Sequence, residues 1–194
     1  TAQGSSSSAG HRAGAAKIVD FLGWCDEAGV ELVTLWLLST DNLTRPEQEL
    51  APLLDIIEDV VTRIAGTGRY RVHPVGALDL LPAGLARTLK RLADSTRPVD
   101  GIQVNVAVGY GGRREIADAV RSLLLEHAAR GTTIEELAEL LDVEQIAEHL
   151  YTRGQPDPEL VIRTSGEQRL SGFLLWQSAH SEFYFCEALW PDIR

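Results

Sequence analysis

Residues 159–177 read ELVIRTSGEQRLSGFLLWQ, and this stretch decides how the rest of the chain is read. Leu160, Val161 and Ile162 form a short apolar run of the kind that makes a buried strand, and Thr164, Ser165 and Gly166 break it off. Arg163, Arg169 and Ser171 fall in or beside that break, and the apolar residues 173–176 follow at once. Two arginines and a hydroxyl around a glycine turn at a strand end suit a phosphate group. Guanidinium forks bind phosphate oxygens in pairs, and glycine lets main-chain N–H groups approach them. A single arginine near a turn is more often a surface ion pair, so the weight lies on the whole string.

Outward from this stretch, strands and helices alternate. Ile18, Phe21, Leu22 and Cys25 share one helical face, and Gly29 stands where that helix should stop. Residues 31–38 (ELVTLWLL) are almost continuously apolar, as in a strand covered on both faces. Thr44 with Glu47 predicts a capping box, and Pro46 suits a first helical turn, so a helix is expected to about Ala65. A strand at 70–75, a helix at 82–93 and an alternating strand at 102–108 follow. The next helix is expected to bury Ile116, Val120, Leu123 and Leu124 and to end at Gly131. Thr133 with Glu136 and Asp142 with Gln145 start two short helices, and 182–185 forms a last short strand. The pattern predicts one α/β domain over residues 1–194, built on a mainly parallel sheet.

Composition sets limits on partners. The 194 residues carry 44% hydrophobic and 24% charged side chains, as in an ordinary globular domain. A net charge of −10 argues against nucleic acid as the main partner but not against a small anion, which feels a local cluster. Cys25 and Cys186 fit no metal spacing and no disulfide framework, which points to a reducing cytoplasm. No apolar run approaches the roughly 20 residues that span a bilayer. Residues 1–8 (TAQGSSSS) are the one low-complexity piece and read as a mobile end.

Three polar loops, 39–45, 109–113 and 164–171, each lie just beyond the carboxyl end of an expected strand. In an open α/β sheet that edge binds ligands, so three separate loops should converge on one anion site. The helix expected after Thr44 would aim its positive end there. The 109–113 loop (GYGGR) has glycines but lacks the spacing of a dinucleotide loop, because Arg114 stands where the last glycine would be.

These strings resemble the signatures of the cis-prenyltransferases, the undecaprenyl diphosphate synthase family. Residues 163–171 (RTSGEQRLS) match its Arg-Thr-x-Gly-Glu-x-Arg-x-Ser segment, and residues 105–113 (NVAVGYGGR) its Asn-x-Ala-x-x-Tyr-Gly-Gly-Arg string. Residues 39–46 (STDNLTRP) resemble Ser-x-Glu-Asn-Trp-x-Arg-Pro, with Asp41 for Glu and Leu43 for the aromatic. His11 stands in AGHRAG like the family's Gly-His-Lys/Arg-x-Gly, and Glu182 in HSEFYF like its Ala-Glu-Leu-Tyr-Phe. The resemblance implies a parallel sheet of about six strands flanked by helices, a homodimer, and Mg²⁺ as cofactor. It implies condensation of isopentenyl diphosphate with an allylic diphosphate, releasing pyrophosphate. Carried over residue by residue, Arg163, Arg169, Leu170 and Ser171 would hold isopentenyl diphosphate, with Arg113 nearby. His11, Ser39, Thr40, Asp41 and Arg45 would hold the allylic diphosphate. Asn42 would orient the pyrophosphate or help remove the proton, and Glu182 would bind Mg²⁺.

Three departures bear on the reading. Ser7 stands where the family carries an arginine four residues before the histidine. The family's Asp-Gly-Asn-x-Arg-Trp motif would precede Thr1, and its Arg-x-Gly tail would follow Arg194. Neither lies in residues 1–194. Leu37 stands where long-chain members carry a small residue, and with Leu43 it resembles a short-chain actinobacterial type that makes cis-farnesyl diphosphate. The expectation is therefore one condensation of geranyl diphosphate to a C15 product. The alternatives are a long-chain synthase with peripheral membrane contact, or a non-catalytic partner subunit. Leu37 could also pack under a helix on the opposite sheet face.

Overall fold

Helix α1 (Ser7–Glu27) leads into β1 (Leu32–Ser39), the apolar run already singled out. Then come α2 (Glu47–Gly66), β2 (Arg71–Val75), α3 (Ala83–Thr96), β3 (Gln103–Tyr110) and α4 (Gly112–Ala129). Short helices α5 (Ile134–Leu140) and α6 (Val143–Ala147) precede β4 (Leu160–Arg163) and β5 (Glu182–Phe185). This computed structural model describes residues 7–192, with side chains from Gly14 onward except Pro191.

Every strand pairing is parallel, in the order β1-β3-β2 and, separately, β4-β5. The expected α/β architecture is present. The expected count of about six strands becomes five among the described residues, split three and two. Among the described residues no strand ladder joins β1 to β4, and aromatic side chains bridge the two sheets. Phe173, beyond β4, stacks on Trp36 of β1 at 5.1 Å between ring centroids.

One face of the larger sheet carries Val33, Leu35, Leu38, Val72, Val104, Val106 and Val108 against α2 and α3, with Ile18 and Leu22 of α1 closing the cluster. Each such fully buried aliphatic side chain contributes about 1.5–3 kcal/mol. The other face, through Ala107 and Tyr110, meets Phe173, Leu174 and Tyr151. The outer edge of β2 is closed to further strands. Thr96 of α3 accepts the Val72 N–H at 3.0 Å, and Pro74 has no N–H to offer.

Two local expectations are corrected. Thr44 does not cap α2: its hydroxyl donates to the Asp41 carbonyl at 2.7 Å, and Pro46 takes the position before the first helical residue. A fixed proline φ there presets the helix without a side-chain cap. Helix α4 buries Gly112, Glu115, Ala119 and Leu123, while Val120 and Leu124 face outward. Counting apolar residues selects the wrong stripe because a glutamate occupies the true one. The Thr133–Glu136 capping box and the Asp142 cap form as read.

Candidate functional site

The three loops do converge. Thr40, just beyond β1, donates its N–H to the Tyr110 carbonyl at the end of β3, 3.0 Å away. Gly112 donates to the Gly172 carbonyl at 3.1 Å, tying the start of α4 to the loop after β4. Both junctions need glycine. A Cβ at Gly111 would lie 2.7 Å from the Thr40 hydroxyl oxygen, and one at Gly112 would lie 2.3 Å from the Gly172 oxygen. At Gly112 the main chains themselves touch, where a side chain would have held them apart, and at Gly111 the space belongs to the Thr40 side chain.

Upstream of this junction β1 and β3 each carry one extra residue. Trp36 faces Ala107 and Leu38 faces Val108, leaving Leu37 bulged; Ser39 then faces Tyr110, leaving Gly109 bulged with φ 65°. The two bulges cancel and the register is restored. Leu37 turns to the main apolar cluster, where Leu43 also packs.

In the 163–171 loop, Arg163 donates from Nη1 to the Ser171 hydroxyl at 2.8 Å. Arg163 and Arg169 both pair with the Glu167 carboxylate, Arg169 from Nε at 3.1 Å. Glu167 thus holds two guanidinium groups side by side as one anion would. Ser165 and Ser171 have φ of 80° and 51°, left-handed values unfavourable to side-chain-bearing residues. The Arg163 side chain is 23% exposed and that of Arg169 70%, so the first is the better shielded. Leu170 is half-buried, and its carbonyl accepts the Phe173 N–H.

Asn42 lies in a single 3₁₀ turn, Asp41–Thr44, with its N–H donating to the Ser39 hydroxyl at 3.2 Å. Asp41 and Arg45 of this loop and Arg113 of α4 are exposed. Among the described residues neither Arg45 nor Arg113 enters an ion pair. His11 lies on α1, and its side chain falls outside the described residues. Between α1 and α2, whose starts lie near His11 and Arg45, runs a cavity of about 340 Å³. Ala15, Ala16, Pro52, Ile56 and Val60 line it, with Asp55, Asp59 and Arg63 at its rim.

Glu182 is not brought to the rim. It opens β5 opposite Leu160, whereas Arg163 faces Phe185, so about 10 Å of strand separates the two ends. Among the described residues no three His, Cys, Asp or Glu side chains gather into a metal site. By itself this exposed carboxylate does not make one either. Mg²⁺ is commonly held by one or two carboxylates with phosphate oxygens and waters, and substrate would have to bring the oxygens.

Glu115 was not among the residues singled out from the sequence. It is 1% exposed and accepts from the Tyr110 hydroxyl at 2.5 Å, the Tyr151 N–H at 2.9 Å and Gln177 Nε2 at 3.0 Å. Burial pushes its pKa up, and the three donors pull against that shift. Tyr110, buried and facing this carboxylate, has its own pKa raised strongly. The network joins β3, α4, the turn at Tyr151 and the segment after the arginine loop. A glutamate in phase with Gly112, Ala119 and Leu123 was the signal available.

The sequence profile of the undecaprenyl diphosphate synthases, a prenyltransferase family, matches residues 1–194. The chain belongs to this cis-prenyltransferase family. It is 70% identical over 190 residues to a (2Z,6E)-farnesyl diphosphate synthase of Thermobifida fusca, covering 98% of this chain and 74% of that one. It is 59% identical over 186 residues to a (2Z,6E)-farnesyl diphosphate synthase of Mycobacterium tuberculosis, covering 95% and 71%. Its fold matches the crystal structure of lavandulyl diphosphate synthase from Lavandula x intermedia, in complex with dimethylallyl diphosphate. That match has a TM-score of 0.90 at 29% identity and covers 99% of this cis-prenyltransferase and 83% of the lavender enzyme. The family, the parallel α/β fold and the prenyl-transferring activity expected from the sequence are all borne out.

Proposed function

We propose that this prenyltransferase condenses isopentenyl diphosphate with geranyl diphosphate to a short Z-prenyl diphosphate, Z,E-farnesyl diphosphate, releasing pyrophosphate. The observation that carries the reading is the arginine loop, where Arg163 and Arg169 share one acidic group and Arg163 also donates to Ser171, beside the 39–45 and 109–113 loops. Arg163, Arg169 and Ser171, with Leu170 beneath, hold the isopentenyl diphosphate once its oxygens displace Glu167. His11, Ser39, Thr40, Asp41 and Arg45 belong to the allylic diphosphate, and Arg113 shares the rim.

The allylic C1–O bond breaks as C1 joins C4 of the isopentenyl group, pyrophosphate leaves with the electron pair, and a C2 proton is lost to form the cis double bond. The chain's part is to neutralise the leaving pyrophosphate with fixed cations and to hold C1 and C4 in reach. Asn42, whose main-chain N–H donates to the Ser39 hydroxyl, is on this reading the residue that orients the pyrophosphate or takes part in proton removal. Mg²⁺ would supply further charge neutralisation, held largely by substrate oxygens, and Glu182, at the other end of its strand pair from Arg163, is the carboxylate read as its protein ligand.

A short product fits the apolar side of the site. Leu37 and Leu43 pack on the main apolar cluster, and on this reading the cavity between α1 and α2 takes the prenyl tail. The names of the two actinobacterial relatives support the same length. We also read the chain as a homodimer, since Leu125, Ile134, Leu140 and Val143 on α4–α6 are more than half exposed. Among the described residues no helix is long and apolar enough to cross a membrane, and we place the enzyme in the cytoplasm, where Cys25 and Cys186 stay reduced. The test is chromatography of the products of the full-length enzyme from geranyl and isopentenyl diphosphates with Mg²⁺. A single C15 product is expected. Long polyprenyl chains, or no turnover at all, would overturn the reading.

A further inference from the structure

The segment that leaves β5 touches both halves of the site. Cys186 donates its N–H to the Arg163 carbonyl at 2.8 Å and accepts the Gly166 N–H at 2.9 Å. Ala188 accepts the Ser165 N–H at 3.0 Å, so the left-handed turn of the arginine loop is held from this segment. Four residues after Cys186 the same segment reaches α1. The Trp190 indole Nε1–H donates to the Gly14 carbonyl at 2.8 Å, and its ring packs edge-on to Phe21 with centroids 5.3 Å apart. A Cβ at Gly14 would stand 3.1 Å from Trp190 Cδ1, so glycine lets the indole close on the helix. Trp190 is half-buried against the main cluster, which fixes the ring from behind.

This arrangement is more than packing. A carbonyl inside an α-helix already accepts the N–H of the residue four further on, and here it accepts a second donor. That contact falls on α1 one turn beyond His11. A rigid run of five residues therefore links the turn that shapes the arginine loop to the helix start that carries His11. The distance between two reacting carbons depends on the distance between the two diphosphates, and small misplacements are expensive in rate.

We propose that Trp190 is a positioning residue for the condensation: with the segment from Cys186 it sets the spacing between the isopentenyl and allylic diphosphate subsites, by holding α1 at Gly14. The inference rests on the assignment of α1 and of the 163–171 loop made above. In this role Trp190 acts on the allylic subsite through its contacts with Gly14 and Phe21 of α1.

Two variants of the full-length enzyme test it. Trp190→Phe keeps an aromatic ring against Phe21 and removes the indole donor. Gly14→Ala keeps the donor and crowds the ring, while a mid-helix alanine should by itself strengthen α1. Both variants are expected to raise KM for geranyl diphosphate about fivefold and to lower kcat, with KM for isopentenyl diphosphate changed less than about twofold. A merely structural tryptophan predicts a shifted Tm with unchanged kinetics in both variants. That result, or a parallel rise of both KM values, overturns the proposal. Calorimetric titration of geranyl S-thiolodiphosphate, an unreactive allylic analogue, separates this inference from the functional reading. If the wild type binds the analogue and neither variant weakens it, the role of Trp190 falls alone. If the wild type does not bind it, both fall together.

Discussion

Replacing Arg163 and Arg169 by alanine should cost very different amounts of affinity for isopentenyl diphosphate, although the sequence presents them as equals. Arg163 is 23% exposed and already anchored on the Ser171 hydroxyl, so its fork is oriented before any ligand arrives. A charge-assisted hydrogen bond contributes about 1.5–3 kcal/mol, and two made by a shielded guanidinium, less the competition of Glu167, leave about 3 kcal/mol. At 1.4 kcal/mol per tenfold, Arg163→Ala weakens binding on the order of 100-fold. Arg169 is 70% exposed, where solvent reduces an ion pair to about 1 kcal/mol, or roughly fivefold. The double variant should not multiply these losses. With Arg163 gone, Glu167 is left to Arg169 alone and neutralises it, so removing Arg169 as well adds little to the loss of roughly 100-fold. Calorimetry of isopentenyl diphosphate with Mg²⁺ present reads all three values. Equal losses in the two single variants, or strictly additive free energies in the double, would refute the shared-anion account of Glu167.

Leu37→Ala should lengthen the product distribution on chromatography and lower stability by about 2 kcal/mol, the small end of the Leu-to-Ala range because the residue is only part-buried. Unchanged product length would remove Leu37 from the tail site. Glu182→Gln should leave the fold intact and raise the Mg²⁺ concentration needed for half-maximal turnover, and an unaltered metal dependence would make that carboxylate structural. Glu115→Gln should stabilise the protein relative to wild type increasingly as pH rises. The folded-state pKa of Glu115 is raised, so its contribution is full below the ordinary carboxylate range and is lost as pH climbs through the raised value. Denaturant titrations of both proteins across that window check the sign, and a wild-type advantage that grows with pH would contradict it.

Much of this was legible in the sequence because the informative residues sit in contiguous strings. The 163–171 loop, the 39–45 loop and the glycines at 111 and 112 were each readable from local chemistry, and the strand-to-loop order brought them to one rim. What stayed hidden depends on partners distant in the chain. Glu115 draws its donors from Tyr110, Tyr151 and Gln177, and Trp190 finds Gly14 at the other end of the polypeptide. No local pattern encodes such meetings. Thr44 misled for a related reason: its spacing to Glu47 is that of a capping box, but the 3₁₀ turn before it claimed the hydroxyl first. The register that sets Glu182 at the other end of β5 from Phe185, the residue paired with Arg163, is likewise a pairing between distant segments.

The paired bulges at Leu37 and Gly109 have an evolutionary consequence. Most residues of β1 are locked into the ladder, with a specified partner across β3 and a specified face, so a change there disturbs the sheet. Leu37 has no partner in the ladder, and Gly109 absorbs the offset. The position that faces the growing prenyl chain in our reading can thus vary in size while the register of every neighbouring pair stays as it is. Selection could retune product length at this one residue and keep the catalytic rim, which begins only two residues further on, in place.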